Sequence, residues 1–182
     1  MKCAVHSHRT SKAYQLACYS KRRRLVVTLS HNSLVSVPFL RWLEGRLSGR
    51  RSLASQLVLQ ISETDALIAQ HHLSTFCAVI EKLGCKLSLS DFGCTPKPLR
   101  YLSLVPATYV KLDTGLLRKI DMNQANLEFL SCMVEELHER GISVIAPRLE
   151  QLPILPPLWQ ANVDFMQGNC LHRPSSSMNF EF

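Results

Sequence analysis

Leu87-Ser88-Leu89-Ser90-Asp91-Phe92-Gly93, followed by Tyr109-Val110-Lys111-Leu112-Asp113, decides the fold. Each stretch is a short apolar or alternating run that ends in a polar cluster. Parallel strands that present chemistry at their C-terminal ends have this pattern. Working outward, strand-like runs recur at 24–30, 56–61, 86–90, 108–112, 142–146 and 163–167. Helical patterns lie between them. Residues 37–47 form one, with Pro38 in the tolerated first turn. A long one opens at Ser62, with Glu63 and Asp65 in its first turn, and stops at Gly84. Its apolar face is read as Leu67, Ile68, His72, Phe76, Val79, Ile80 and Leu83. Residues 98–105 read as a short helix, and 124–140 as a long one with Leu127, Leu130, Val134 and Leu137 on one face. After the prolines at 153, 156 and 157 a last short helix is expected.

Repeated βα units imply parallel strands covered by helices. Six of them suit an open doubly wound sheet or part of a (β/α)8 barrel. A full barrel usually takes about 250 residues, and this chain has 182, which is one domain by size.

Composition narrows the function. Residues 1–51 hold eleven Lys or Arg and one acid, Glu44, while the rest hold ten bases and thirteen acids. A basic N-terminal third can face an acidic partner, but no aromatics interleave with Lys21-Arg22-Arg23-Arg24 to stack bases. A nucleic acid polymer is therefore not expected as partner. No apolar run approaches the roughly 20 residues that span a bilayer, and residues 1–20 lack the apolar stretch of a signal peptide. The seven cysteines form no Cys-x-x-Cys pair and read as reduced, packed thiols, which fits a cytoplasmic location. His71 and His72 are adjacent in a helix, point apart, and read as surface histidines rather than metal ligands.

The order of the polar strand ends resembles the EAL domain family, whose members bind or hydrolyse cyclic di-GMP. The family's Asn-Leu-Ser looks like Thr28-Leu29-Ser30, and its Glu-Ile-Thr-Glu like Gln60-Ile61-Ser62-Glu63. Its Asp-Asp-Phe-Gly looks like Ser90-Asp91-Phe92-Gly93, and its Lys-Ile-Asp like Lys111-Leu112-Asp113. Its Ala-Glu-Gly-Val-Glu looks like Ala146-Pro147-Arg148-Leu149-Glu150, and its closing Gln-Gly and Pro like Gln167-Gly168 and Pro174. Gln60-Ile61-Ser62-Glu63, the Ser88–Cys94 run and Leu158-Trp159-Gln160-Ala161 are similar to the degenerate EAL domains of FimX-like proteins.

The resemblance implies a partial (β/α)8 barrel of TIM type with about six parallel strands and its first strands missing. Residues 1–23 are then a basic remnant with the end of a helix, and 24–182 a truncated, degenerate EAL domain. No counterpart of the Glu-Ala-Leu signature segment is found. At the family's metal positions stand Thr28, Gln60, Ser90 and Pro147, so the expectation is no metal, no cofactor and no enzyme. The nucleotide-binding residues implied are Asp91, Lys111, Glu150 and Gln167. Lys111 would pair with a phosphate, and Glu150 would accept from the guanine N1–H and N2–H₂. The structural alternatives are a Lys111 paired with Asp91 or Asp113, and a Glu150 that caps a helix. The function implied is cyclic di-GMP sensing, with binding weak or lost, and regulation of a PilZ-like protein in type IV pilus-driven twitching motility. Two other functions stay open: an interaction scaffold without nucleotide, and an active phosphodiesterase. Open barrel edges would favour self-association.

Overall fold

The computed structural model describes residues 24–103, 105–120 and 124–171. Expectations at residues 1–23, at Pro174 and in the tail from 175 lie outside the described residues. The chain divides into two compact units, one ending at Val110 and the other beginning at Lys111.

The first unit is built on β1 (Leu25–Thr28), β2 (Leu57–Ser62), β3 (Lys86–Phe92) and the opening of β4 (Tyr109–Leu112). β1 pairs β2 in parallel, with Leu25 opposite Leu57 and Thr28 opposite Gln60. β2 pairs β3 in parallel, with Val58 opposite Lys86 and Ser62 opposite Ser90. Leu57 through Ile61 are buried on both faces of the sheet. That is why β2 reads as a nearly continuous apolar run rather than an alternating one. Fully burying a Leu or Ile side chain contributes roughly 1.5–3 kcal/mol, so β2 is a large part of this unit's core.

The strands are joined by α1 (His31–Leu34), α2 (Val37–Leu47), α3 (Arg51–Ala54), α4 (Glu63–Ile68), α5 (Gln70–Leu83) and α6 (Pro98–Tyr101). α2 has the bounds its pattern predicts, and the Ser36 hydroxyl accepts from the Phe39 amide at its start. The single helix expected from Ser62 to Gly84 is instead two. The break falls at Ala69, whose φ of −94° and ψ of 16° leave the helical region. The Ala69 amide still closes onto the Asp65 carbonyl, and the His72 amide restarts on the Ala69 carbonyl. The break rotates α5, so Leu73, Phe76, Cys77, Ile80 and Leu83 are buried while Ile68 and His72 are exposed. Both histidines lie on the surface, as read from the sequence. Burial pushes the Cys77 thiol up to about 11, with the nearby Glu81 adding to it, and the Cys85 thiol up to about 12. Both are protonated, apolar packing groups at neutral pH.

The second unit holds the end of β4, then α7 (Thr114–Ile120), α8 (Gln124–Glu139), β5 (Ser143–Ala146), a 3₁₀ turn (Leu152–Ile154), α9 (Leu155–Gln160) and β6 (Phe165–Met166). β5 pairs β6 in parallel, with Ala146 opposite Met166. α7 has no counterpart in the sequence reading. Asp113 starts it: one of its carboxylate oxygens accepts from the Gly115 and Leu116 amides at 2.8 and 3.2 Å. α9 begins before Pro157 rather than after it, because Pro156 and Pro157 occupy its first turn, where a missing N–H costs nothing. α8 buries Leu127, Leu130, Val134 and Leu137, the face expected.

The strands follow one another in the sheet as in the sequence, β1 to β6. Parallel strands in this order, with helices between them, give the partial (β/α)8 fold of TIM type that the family resemblance implies.

Candidate functional site

In each unit the polar residues collect at the C-terminal strand ends, where parallel α/β folds place their sites. In the first unit they are largely engaged with one another. Gln60 is buried, and its amide nitrogen donates to the Thr28 hydroxyl at 3.2 Å. The Ser90 hydroxyl donates to the Asp91 carboxylate at 3.2 Å. His31 and Asp65 meet at 3.3 Å. Asp91 itself is exposed and sits at φ 54°, a left-handed conformation that Asp tolerates better than most residues.

The organising residue of this rim is Glu63. Its side chain is fully buried and takes the Gly93 amide at 3.0 Å, the Cys94 thiol at 3.4 Å and the Thr95 hydroxyl. One carboxylate therefore holds the turn that follows β3, and with it the position of Asp91. Sequence reading assigned Glu63 to the first turn of a helix and to the Gln60–Glu63 motif, with no partner for its side chain. No local pattern announces partners thirty residues away.

EAL-type chemistry implies divalent cations held by oxygen ligands. The described donors here are the Thr28 and Ser90 hydroxyls, the Gln60 amide and the Asp91 carboxylate. Thr28 and Gln60 bond each other, Ser90 bonds Asp91, and no three His, Cys, Asp or Glu residues converge among the described residues. With Glu63 engaged by the turn after β3 and Asp65 by His31, Asp91 is the one described carboxylate left among neutral groups, which does not fit a pair of divalent cations that carboxylates ordinarily neutralise.

In the second unit the charged groups are arranged differently. The bend after β5 is fixed by the segment around Gly168. The Leu149 amide donates to the Gln167 carbonyl at 3.0 Å, the Cys170 amide to the Leu149 carbonyl at 3.1 Å, and the Gln167 amide to the Ala146 carbonyl at 2.9 Å. Gly168 packs so tightly that a Cβ there would lie 2.0 Å from the Leu149 carbonyl oxygen. Leu149 is buried between two exposed residues, Arg148 and Glu150. The pinned bend forces Arg148 to φ 54°, a strain of order 1 kcal/mol or more for a residue with a long side chain.

Arg148 and Glu150 line a cavity of about 320 Å³ together with Thr114, Arg118, Pro147 and Ile154. Among the described residues neither Arg148 nor Glu150 has a hydrogen-bond or ion-pair partner. Glu150 therefore caps no helix. Lys111 is half-buried in β4, and Asp113 is engaged in capping α7. Gln167 is exposed, and its backbone rather than its side chain fixes the bend. Of the four expected binding residues, Lys111, Glu150 and Gln167 thus belong to the second unit, and Asp91 belongs to the first. Sequence reading passed over Arg148 and Arg118.

A second clamp steadies β5. The Asp164 carboxylate accepts from the Val144 amide at 2.6 Å and meets the His138 ring at 2.8 Å. Burial alone would raise this carboxyl, but these partners outweigh it and hold it below its ordinary value of 3.8.

The EAL domain family matches residues 4–174. The FimX EAL domain from Pseudomonas aeruginosa, solved bound to c-di-GMP, is 30% identical, with a TM-score of 0.85 over 94% of this chain and 70% of its own. The cyclic di-GMP phosphodiesterase PdeA of Borreliella burgdorferi is 24% identical over 81% of this chain. PdeF of Escherichia coli, also a cyclic di-GMP phosphodiesterase, is 23% identical over 83%. The chain spans about a fifth of the length of these curated relatives, 22% and 20% respectively.

The phosphodiesterase names correct the expectation of a non-enzyme. That expectation counted lost ligands at Thr28, Gln60, Ser90 and Pro147 as lost activity. The count weighs side chains one at a time, whereas cations also take carbonyl and water oxygens. The rim geometry limits how cations are held in the first unit and is not evidence against activity.

Proposed function

The chain belongs to the EAL domain family, and on that premise we propose that it binds cyclic di-GMP as a signalling module. The likeness to a FimX EAL domain bound to that nucleotide, at 30% identity over 94% of the chain, carries the reading. The residues at the strand ends support it. Glu150 offers an unengaged carboxylate for the N1–H and N2–H₂ of a guanine. Lys111 offers a cation for a phosphate. Gln167, exposed at the end of β6, offers a further polar contact. Regulation of a PilZ-like partner in pilus-driven motility, in the cytoplasm, belongs to the same proposal and is supported by the FimX likeness alone. Among the described residues no helix is long and apolar enough to cross a membrane.

Calorimetric titration of the chain with cyclic di-GMP, with cyclic di-AMP as control, tests the reading. Saturable binding of the guanine form is expected. No heat at roughly millimolar protein, where even about −4 kcal/mol of binding energy registers, would leave the interaction-scaffold reading in its place.

The named phosphodiesterases among the relatives favour a second reading, hydrolysis of cyclic di-GMP. Incubation with Mg²⁺ or Mn²⁺ and separation of the linear product tests it. Turnover of roughly 1 s⁻¹, within the ordinary range for enzymes, establishes it.

A further inference from the structure

In the second unit one cation is held in a conformation that its own chemistry disfavours, beside a cavity and without a partner. Arg148 stands at φ 54°. Gly adopts that conformation freely, whereas an L side chain there is strained. The strain is imposed from outside, since the neighbouring Leu149 is bonded on both sides to the Gln167–Cys170 segment and Gly168 packs directly on its backbone. The bend cannot relax without losing those contacts.

The strained side chain gains no polar partner among the described residues. Arg148 is exposed and makes no ion pair or hydrogen bond among the described residues. It lines the same cavity as Glu150, Arg118 and Thr114, whose apolar walls are Leu117, Pro147 and Ile154. This lining has one carboxylate and two guanidiniums. A guanine nucleotide has the complementary pattern, with a planar base whose donor edge suits the carboxylate and a phosphate that suits a guanidinium fork. Strain kept at a cation with no ion pair or hydrogen bond among the described residues points to a contact made outside the chain.

We propose that Arg148 is a ligand-contacting residue, which grips a phosphate of the guanine nucleotide whose base lies against Glu150. The proposal rests on the reading of the chain as a guanine-nucleotide-binding EAL domain. It adds that binding here is coupled to a local loss of stability.

The test compares the parent chain with Arg148→Gly and, as a second variant that tolerates positive φ, Arg148→Asn. Thermal melts are recorded, and cyclic di-GMP, GMP and guanosine are titrated into each. Both variants are expected to melt above the parent. Both should bind cyclic di-GMP and GMP roughly tenfold more weakly, the scale of one charge-assisted contact, and guanosine unchanged. Equal affinity for GMP in parent and variants would overturn the proposal, as would an equal loss for guanosine. If the parent fails to bind cyclic di-GMP but binds GMP in an Arg148-dependent way, the proposed function falls and this inference stands. If the parent binds none of the three, both fall.

Discussion

The strand ends of the two units differ in where their polar groups are engaged. In the first unit they mostly face each other: Gln60 with Thr28, Ser90 with Asp91, His31 with Asp65, and Glu63 with the turn after β3. In the second, backbone bonds fix the bend after β5 and leave Arg148 and Glu150 beside a cavity. Partnered polar groups hold a fold; charged groups held without partners next to a cavity are free to meet a ligand. The difference separates a rim whose side chains maintain structure from one whose side chains are available for recognition.

The sharpest way to break this contrast is at Gly168. A Cβ there would lie 2.0 Å from the Leu149 carbonyl oxygen and 2.3 Å from its amide nitrogen. Backbone must move, so Gly168→Ala is expected to cost on the order of 3 kcal/mol in urea unfolding. Wild-type-like stability would mean that the bend is not pinned. Next comes Glu63. Removing a buried carboxylate with several donors around it leaves those donors unsatisfied, so Glu63→Ala should cost about 2–3 kcal/mol. Amide exchange at Gly93 should accelerate with it, and unchanged protection there would remove Glu63 from its organising role.

Glu150 gives the reverse signature. It is exposed and unbonded, so Glu150→Ala should leave the melting transition within about 0.5 kcal/mol of the parent. A large stability loss would make Glu150 a structural residue like Glu63. A modest, pH-dependent effect is expected at Asp164. Its folded-state carboxyl is depressed, so its contribution is present above the ordinary value of 3.8 and is lost as pH falls through the lower folded value. Asp164→Asn should therefore cost about 1 kcal/mol near neutral pH and cost progressively less in acid. A cost that stays flat from neutral to acid pH would show that the carboxylate charge is not what steadies β5.

The strands were legible because apolar runs end in polar residues, with Thr28, Gln60, Ser90 and Lys111 marking four such ends, while the choice of a partial barrel over a doubly wound sheet came from the family resemblance. α2 was legible to the residue, since Ser36 caps it and Pro38 sits in its first turn. The break at Ala69 was not, because Ala is the strongest helix former and neither Gly nor Pro marks the site. α7 was missed because it depends on a side-chain cap from Asp113, which the sequence reading had assigned to a strand end. Glu63 and Arg148 were missed for a common reason. The burial of Glu63 depends on a turn thirty residues away, and the φ of Arg148 on a segment twenty residues away. Nothing in the local composition of either residue records those contacts.

The central claim is that the chain binds cyclic di-GMP through charged groups of its second unit. The most direct measurement is calorimetric titration of cyclic di-GMP into the parent, Glu150→Ala and Lys111→Ala, with each variant's fold checked by its melt. Saturable binding to the parent is predicted, with a roughly ten- to hundredfold loss in each variant, equivalent to about 1.5–3 kcal/mol. Parent-like affinity in both variants, or no binding to a folded parent, would contradict the account.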